Sequence, residues 1–323
     1  MIRIHFPHNK GIWDLFPSYL LMLLIPVIIS TFIFLRMENT MRKHALETNT
    51  VFIKQFSAIV DQNVREIEQF ATFIISNKTV NRIGNIGILN NKNIINVKEL
   101  AEQILAYSIS NERITGYFIY FPKSDFIYSP DATYSTELFF EHCYFFEEGY
   151  ETFIHLLNNY YTGSFLSLPL YSYSNNKRYL VYAKSLLGYD ISSVMANAFI
   201  IFDISTLPEI FSFDPEIGSV DNYMIMEEEG RLVYGHGNAF TDDNLFSIIA
   251  NSNSSYIEYK DFIISKVASS AVKSWHYAVL TSTKKVFTPI ARIQRDVIIL
   301  FFILILCSIL LAYFLSIKSY QPI

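Results

Sequence analysis

The sequence predicts an α+β protein in which two transmembrane helices flank two antiparallel-sheet modules, the modules standing in tandem on one long N-terminal stalk helix. Three observations predict it. Two uncharged apolar blocks of 21 residues each, residues 15–35 and 297–317, lie near the two ends. Residues 38–77 contain no Gly or Pro and repeat apolar side chains at steps of three and four. Between that segment and the second block, the chain runs twice through strand pairs joined by turn residues, each time with a helical stretch in between.

Composition sets the frame for the elements. Of 323 residues, 51% are hydrophobic and 17% charged, an excess of apolar residues over ordinary soluble domains that the two blocks largely supply. Residues 1–14 are read as a cytoplasmic N-terminus and residues 15–35 (LFPSYLLMLLIPVIISTFIFL) as the first crossing. At ~1.5 Å rise per residue, such a length spans a hydrocarbon core of roughly 30 Å. Arg36-Met37-Glu38 follows, with no small-residue cleavage pattern, so the segment reads as an uncleaved anchor. Arg3 and Lys10 before the first crossing and Lys318 after the second favour cytoplasmic termini, although Arg36, Arg42, Lys43, Arg292 and Arg295 weaken the bias.

Residues 36–80 form the predicted stalk helix, with Phe52, Phe56, Ile59/Val60, Val64, Ile67, Phe70/Ala71 and Ile74 on one face. That face serves equally a core of its own chain or a dimer contact. Residues 81–215 make the membrane-distal module. It opens with an Asn-rich turn region (85–96) and a short helix over 97–108. ITGYFIYFPKSDFIYSP (114–130) is a hairpin, and a partly helical stretch covers 136–159. FLSLPLYSY and RYLVYAKSLL form a second hairpin, and NAFIIFDIS (197–205) a last strand, closed by a helix start at Ser205-Thr206-Leu207-Pro208.

Residues 216–287 repeat the plan on a smaller scale. DNYMIMEEEGRLVYG gives strand, Glu-Gly turn and strand; residues 242–250 a short helix; SYIEYKDFIISKVAS a hairpin about Lys260-Asp261; WHYAVLTS (275–282) a closing strand. Thr288-Pro289 then begins a connecting helix, 288–296, that leads into the second crossing, 297–317, and the start of a cytoplasmic linker, 318–323.

Charge and cysteine content exclude several classes. Of the chain's 25 basic residues only Arg3, Lys10 and Lys318 lie outside 36–296, and of its 30 acidic residues only Asp14, so the loop is mildly acidic and offers no footprint for nucleic acid. Cys143 lies in the loop and Cys307 in the second crossing, so the external region has no internal disulfide; Cys143 reads as an inert, partly buried thiol, with an intermolecular bridge as the alternative. There is no phosphate loop, nucleophile elbow, H-E-x-x-H or C-x-x-C, and no enzyme is expected. The cluster EHCYFFEEGYETFIH matches no zinc-ligand spacing; neither metal nor cofactor is expected.

The ITGYFIYFPKSDFIYSP hairpin, the RYLVYAKSLL and FIIFDIS strands, the EEEGRLVYG module start and SWHYAVL before the second crossing together resemble the double Cache (dCache) sensor regions of bacterial transmembrane receptors, tandem PAS-like domains. The ending AYFLSIKSYQPI is similar to the junction in membrane-bound AraC-type regulators and sensor histidine kinases of low-GC Gram-positive bacteria. The resemblance implies an extracytoplasmic ligand-sensing region in the cell membrane that passes a conformational signal to a cytoplasmic output, AraC-type by this likeness, lying beyond this chain. The alternatives are the sensor part of a histidine kinase or chemoreceptor, or a membrane-anchored protein-interaction module. Implied partners are a small-molecule ligand or a solute-binding protein, membrane lipid, and a second copy of the chain as homodimer. The implied ligand site is the distal module, with Tyr117, Tyr120, Tyr128, Tyr179, Tyr182, Lys184 and Asp203 as candidates. Asp203 matches the acidic residue that pairs with the ligand amine in amino-acid-binding members; a helix cap is its other reading. The remaining signature is absent, with no R-x-W-Y before the third strand and only PLYSY for P-Y-x-D, which argues against an amino-acid ligand.

Overall fold

The computed structural model describes residues 10–86, 99–104, 114–174, 177–188, 193–203, 222–238, 243–252 and 254–319, with side chains of 10–27, 243, 289, 308–309 and 311–319 excepted. Helix α1, Lys10–Ile75, is continuous over 66 residues, about 100 Å of rise. Phe52, Phe56, Val60, Val64, Ile67, Phe70 and Ile74 are all buried, and they pack on the sheets of this same chain. The periodic face is therefore monomer core. The helix stops short of residue 80: the Asn77 side chain accepts from the Thr79 backbone N–H (2.7 Å) and caps a separate helix, α2, Lys78–Ile86. Gly84 brings α2 onto the sheet so closely that a Cβ there would sit 2.9 Å from the Met195 carbonyl oxygen.

The distal sheet comprises β1 (Ile114–Phe121), β2 (Phe126–Tyr128), β3 (Thr133–Ser135), β4 (Tyr144–Phe145), β5 (Ser164–Phe165), β6 (Leu170–Ser172), β7 (Arg178–Leu187) and β8 (Val194–Phe202). Its order is β3-β2-β1-β8-β7-β6-β4, all antiparallel, with β5 also paired to β7. Helices α3 (Thr136–His142) and α4 (Tyr150–Asn158) form the insert. The expected single strand FLSLPLYSY is two short ones interrupted at residues 166–169, and β8 starts three residues before Asn197. Strand β3 was not anticipated.

The proximal sheet comprises β9 (Asn222–Glu227), β10 (Leu232–His236), β11 (Tyr256–Tyr259), β12 (Phe262–Ala268) and β13 (Trp275–Ser282), in the order β10-β9-β13-β12-β11, with helix α5, Asp243–Asn251, beside it. Both sheets place the last strand next to the first, with the opening hairpin on one side of that pair and the middle strands on the other. The tandem repeat expected from the sequence is thus a repeat of topology. The Glu-Gly turn is present, with Gly230 at φ 87°, a region that side-chain-bearing residues rarely occupy.

Helix α6, Thr283–Ser319, leaves β13 directly, its first backbone N–H donating to the Asp261 carbonyl (2.8 Å). It begins five residues ahead of the expected Thr288-Pro289 start. Among the described residues no helix carries a stretch long and apolar enough to cross a membrane. Much of both expected crossings falls outside the described side chains, as do most of the 85–96 turn region, half of the 97–108 helix (all but residues 99–104) and the Ser205–Pro208 helix start.

Each sheet is the middle layer of three. Alternation along β1, β7 and β8 sends Tyr117, Ile119, Leu180, Tyr182, Ile200 and Phe202 to α1, and Phe118, Tyr179, Val181, Phe199 and Ile201 to the insert. Tyr223, Ile225, Tyr277 and Val279 likewise face α1, with Met224, Ile264 and Leu280 facing α5. One helix therefore closes both cores.

Candidate functional site

A cavity of about 320 Å³ opens between the distal sheet and the insert, where β1 begins and the loop after β2 turns towards α3. That volume lies near the lower end of the ~300–1,000 Å³ usual for small-molecule sites. Gly116 lines the space just after a β-bulge in the β1–β8 register, where a Cβ would meet the Tyr144 hydroxyl and Ile201 at ordinary contact distances of 3.5 and 3.6 Å. The walls carry Asp131, Tyr134, His142, Cys143, Tyr144 and Ser172. Helix α3 delivers His142 and Cys143 because Ser135 caps its start, its hydroxyl accepting from the Leu138 N–H at 3.3 Å.

The electrostatics favour neutral hydroxyls around one carboxylate. Burial, then the neighbouring Tyr179, Cys143 and Asp131, push the Tyr144 phenol up to about 12. Tyr134 is raised by burial, Cys143 and Asp131. Burial also raises the Cys143 thiol, a bond with Tyr134 lowers it and Asp131 raises it again, so the thiol stays protonated near neutrality. Such a lining can accept and donate hydrogen bonds and attract positive charge. Among the described residues it pairs no nucleophile with a base.

The sequence-predicted residues do not come together here. Only Tyr117 borders the cavity, and its ring packs edge-on against Phe70 of α1 (centroids 5.4 Å apart). Tyr128 lies beside it in the same core, its hydroxyl buried without a well-formed hydrogen bond among the described residues. Tyr182 also faces α1, against Phe165, and Lys184 donates to the Thr72 hydroxyl of α1 at 2.8 Å. Tyr120 and Tyr179 point the other way, into the insert core; the Tyr120 hydroxyl bonds Asp125 (3.2 Å) and Asn158 (3.4 Å). Asp203, 6% exposed at the end of β8, accepts from Lys177 Nζ at 3.1 Å and lies outside the cavity wall. Its capping of a following helix concerns residues outside those described.

The split has a simple cause. Tyr117 and Tyr120, like Tyr179 and Tyr182, are three residues apart, and an odd step along a strand reverses the face. Residue type alone brought together side chains that point apart. The missed wall residues sit in a turn and at a helix end; the available signal was Gly116, a glycine inside a strand run.

A larger hollow, about 610 Å³, lies where the two modules meet, beside Ser167, Glu227, Glu228, Glu229 and Ser274. Arg231 spans it, donating to the Ser167 carbonyl (2.8 Å) and the Glu227 carboxylate (2.6 Å). With Phe165 packed on Trp275 (4.7 Å between centroids), it joins the modules, and the smaller cavity is the better ligand site.

No protein-family model and no curated protein sequence matches the chain. Solved structures do. The extracellular domain of soHK1S-Z6, named as a histidine kinase, aligns with TM-score 0.55 at 13% identity over 77% of this chain and 98% of that one. The corresponding domain of vpHK1S-Z8 gives 0.48 at 11% identity (77% and 97%), and the ligand-binding domain of the Campylobacter jejuni chemoreceptor Tlp3 with 4-methylisoleucine gives 0.47 at 10% (77% and 95%). The fold argument rests on the first of these: over 77% of its length the chain shares the fold of that extracellular domain.

Proposed function

We propose that this chain is the ligand-sensing and signal-transmitting region of a bacterial membrane receptor. Residues 36–296 lie outside the cytoplasm, 15–35 and 297–317 cross the membrane, and both termini are cytoplasmic. The observation that carries the reading is that α1 packs against both sheets and continues unbroken into the first apolar block, while α6 runs from the last strand into the second. Ile28, Ile29, Phe32, Ile33 and Leu35 on α1 are more than half exposed, and Leu300, Phe302, Ile303, Leu304 and Leu306 on α6 likewise. Contiguous apolar surface of this extent is unfavourable in water and natural in lipid.

On this reading a small molecule, or a solute-binding protein delivering one, settles in the 320 Å³ cavity and favours one packing of the insert on the distal sheet. The bias passes to α1 through their shared core and to α6 through β13. The chain transmits conformation and performs no catalysis. A homodimer would join through the face of α1 opposite its buried stripe. The AraC-type output rests on the sequence likeness of the ending alone.

The test is thermal-shift screening of the full chain in detergent against sugars, oligosaccharides, amino acids, amines and carboxylates. A saturable shift that is lost in Asp131→Asn and retained in Asp203→Ala supports the cavity as the site. No saturable shift with any ligand class, or one untouched by Asp131→Asn, overturns it.

A further inference from the structure

We infer that Arg36 and Arg292 form an external binding site for anionic phospholipid headgroups; the inference rests on the two crossings proposed above. The helices α1 and α6 touch and run antiparallel, and their register is fixed near the proximal sheet. The Arg42 guanidinium lies over the Phe287 ring, 5.7 Å from its centroid, and the Thr281 hydroxyl donates to Asn49 at 2.6 Å. Both helices rise by ~1.5 Å per residue, so six residues towards the membrane from Arg42 and Phe287 stand Arg36 and Ile293 at one level. Arg292 and Arg295 adjoin Ile293. Towards the membrane the exposed apolar side chains Leu35, Ile33 and Phe32 follow directly on α1, and Ile298 and Ile299 follow five and six residues past Ile293 on α6.

The basic residues differ in how they are occupied. Arg42 is engaged by Glu38 and Glu258, Lys43 by Glu47 and Arg295 by Asp296. Arg36 and Arg292, both exposed, form no ion pair among the described residues. Two guanidinium groups at the depth of the headgroups, each able to make paired hydrogen bonds with a phosphodiester, suit an anionic lipid. They also oppose the charge rule for orientation, being on the outer side, so they do not help to insert the chain. A lipid held by both residues would couple the two helices to the charge of the outer leaflet.

The experiment uses the full chain reconstituted in vesicles of phosphatidylcholine with a minor fraction of spin-labelled phosphatidylglycerol or phosphatidylcholine probe. The wild type should hold the phosphatidylglycerol probe more strongly than the phosphatidylcholine probe. The double variant Arg36→Gln/Arg292→Gln should lower that preference on the order of tenfold, consistent with two basic groups near an anionic surface, and added salt should do the same. Lys54→Gln, which removes another exposed charge 18 residues along α1 from Arg36, should leave it unchanged. Equal retention of the two probes by wild type, an unchanged preference in the double variant, or displacement by inorganic phosphate, which would assign the site to a free ion, each overturns the inference. Flotation and alkaline extraction separate the two levels: a chain that never enters the vesicles refutes the crossings and the lipid site together, whereas an inserted chain without preference refutes the lipid site alone.

Discussion

Asp61→Asn should loosen the stalk helix from the proximal sheet. Asp61 sits in the middle of α1, 4% exposed, and its carboxylate collects four hydrogen bonds from the turn and strand opposite. They come from the Ser269 hydroxyl (2.6 Å), the Ser270 backbone N–H (2.8 Å), the Ser270 hydroxyl (2.6 Å) and the Tyr277 phenol (2.5 Å). Bonds to a charged acceptor contribute ~1.5–3 kcal/mol each. Ser270 is exposed and can turn to water, so its pair is discounted; Tyr277 is wholly buried and cannot. In Asp61→Asn the bonds from Ser269 and Tyr277 fall from charged-acceptor to neutral-acceptor strength, a loss of about 2–3 kcal/mol for the two together, which for a domain of this size lowers Tm by roughly 4–12 °C. Burial alone would raise the Asp61 pKa, but the bonds from Ser269, Ser270 and Tyr277 outweigh it and hold it below the usual value. A depressed folded-state pKa means that the contribution is complete above the unfolded value, about 3.9, and is lost as pH falls through the folded one. Thermal melts of wild type and Asp61→Asn by near-ultraviolet circular dichroism should therefore differ at pH 7 and converge in strong acid. Equal melting temperatures at pH 7, or a gap that persists undiminished at the lowest pH, would refute the reasoning.

Three further outcomes follow from the same geometry. Phe56→Ala removes a fully buried ring that meets Tyr223 and Tyr277 at 5.0 and 5.5 Å, and should cost ~3–5 kcal/mol in denaturant unfolding. Gly84→Ala would set a methyl group 2.9 Å from the Met195 carbonyl oxygen and should destabilise by ~1–3 kcal/mol, read from the same unfolding curves. Asp131→Asn removes a charge that raises the Cys143 thiol, so in a Cys307→Ser background alkylation of Cys143 should reach its half-maximal rate at a lower pH, with Tm unchanged.

Much of the architecture was legible because it follows from periodicity. The three-and-four spacing from Phe52 to Ile74 gave the buried face of α1, and RYLVYAKSLL and WHYAVLTS coincide with β7 and β13 residue for residue. Short strands were harder. Thr133–Ser135 has no apolar alternation and pairs along the edge of β2, whereas the division between β5 and β6 was signalled by Pro169, which cannot donate to a ladder inside the run FLSLPLYSY. The helix break after Ile75 depends on one side-chain cap at Asn77. The site was least legible, since its wall is assembled from a bulge at Gly116, the Asp131 turn and the end of α3, which no single local pattern connects. The Asp61 network, joining residues more than 200 positions apart, has no sequence signal at all.

The central claim is that the tandem modules stand outside the cytoplasm on two helices that enter the membrane from the same side. Glu151, exposed on α4 of the distal insert, gives the direct test. Glu151→Cys, in a chain with Cys143→Ser and Cys307→Ser, is treated in intact cells with a membrane-impermeant maleimide. Labelling without lysis is the predicted result; labelling that appears only after the cells are broken open would contradict the account.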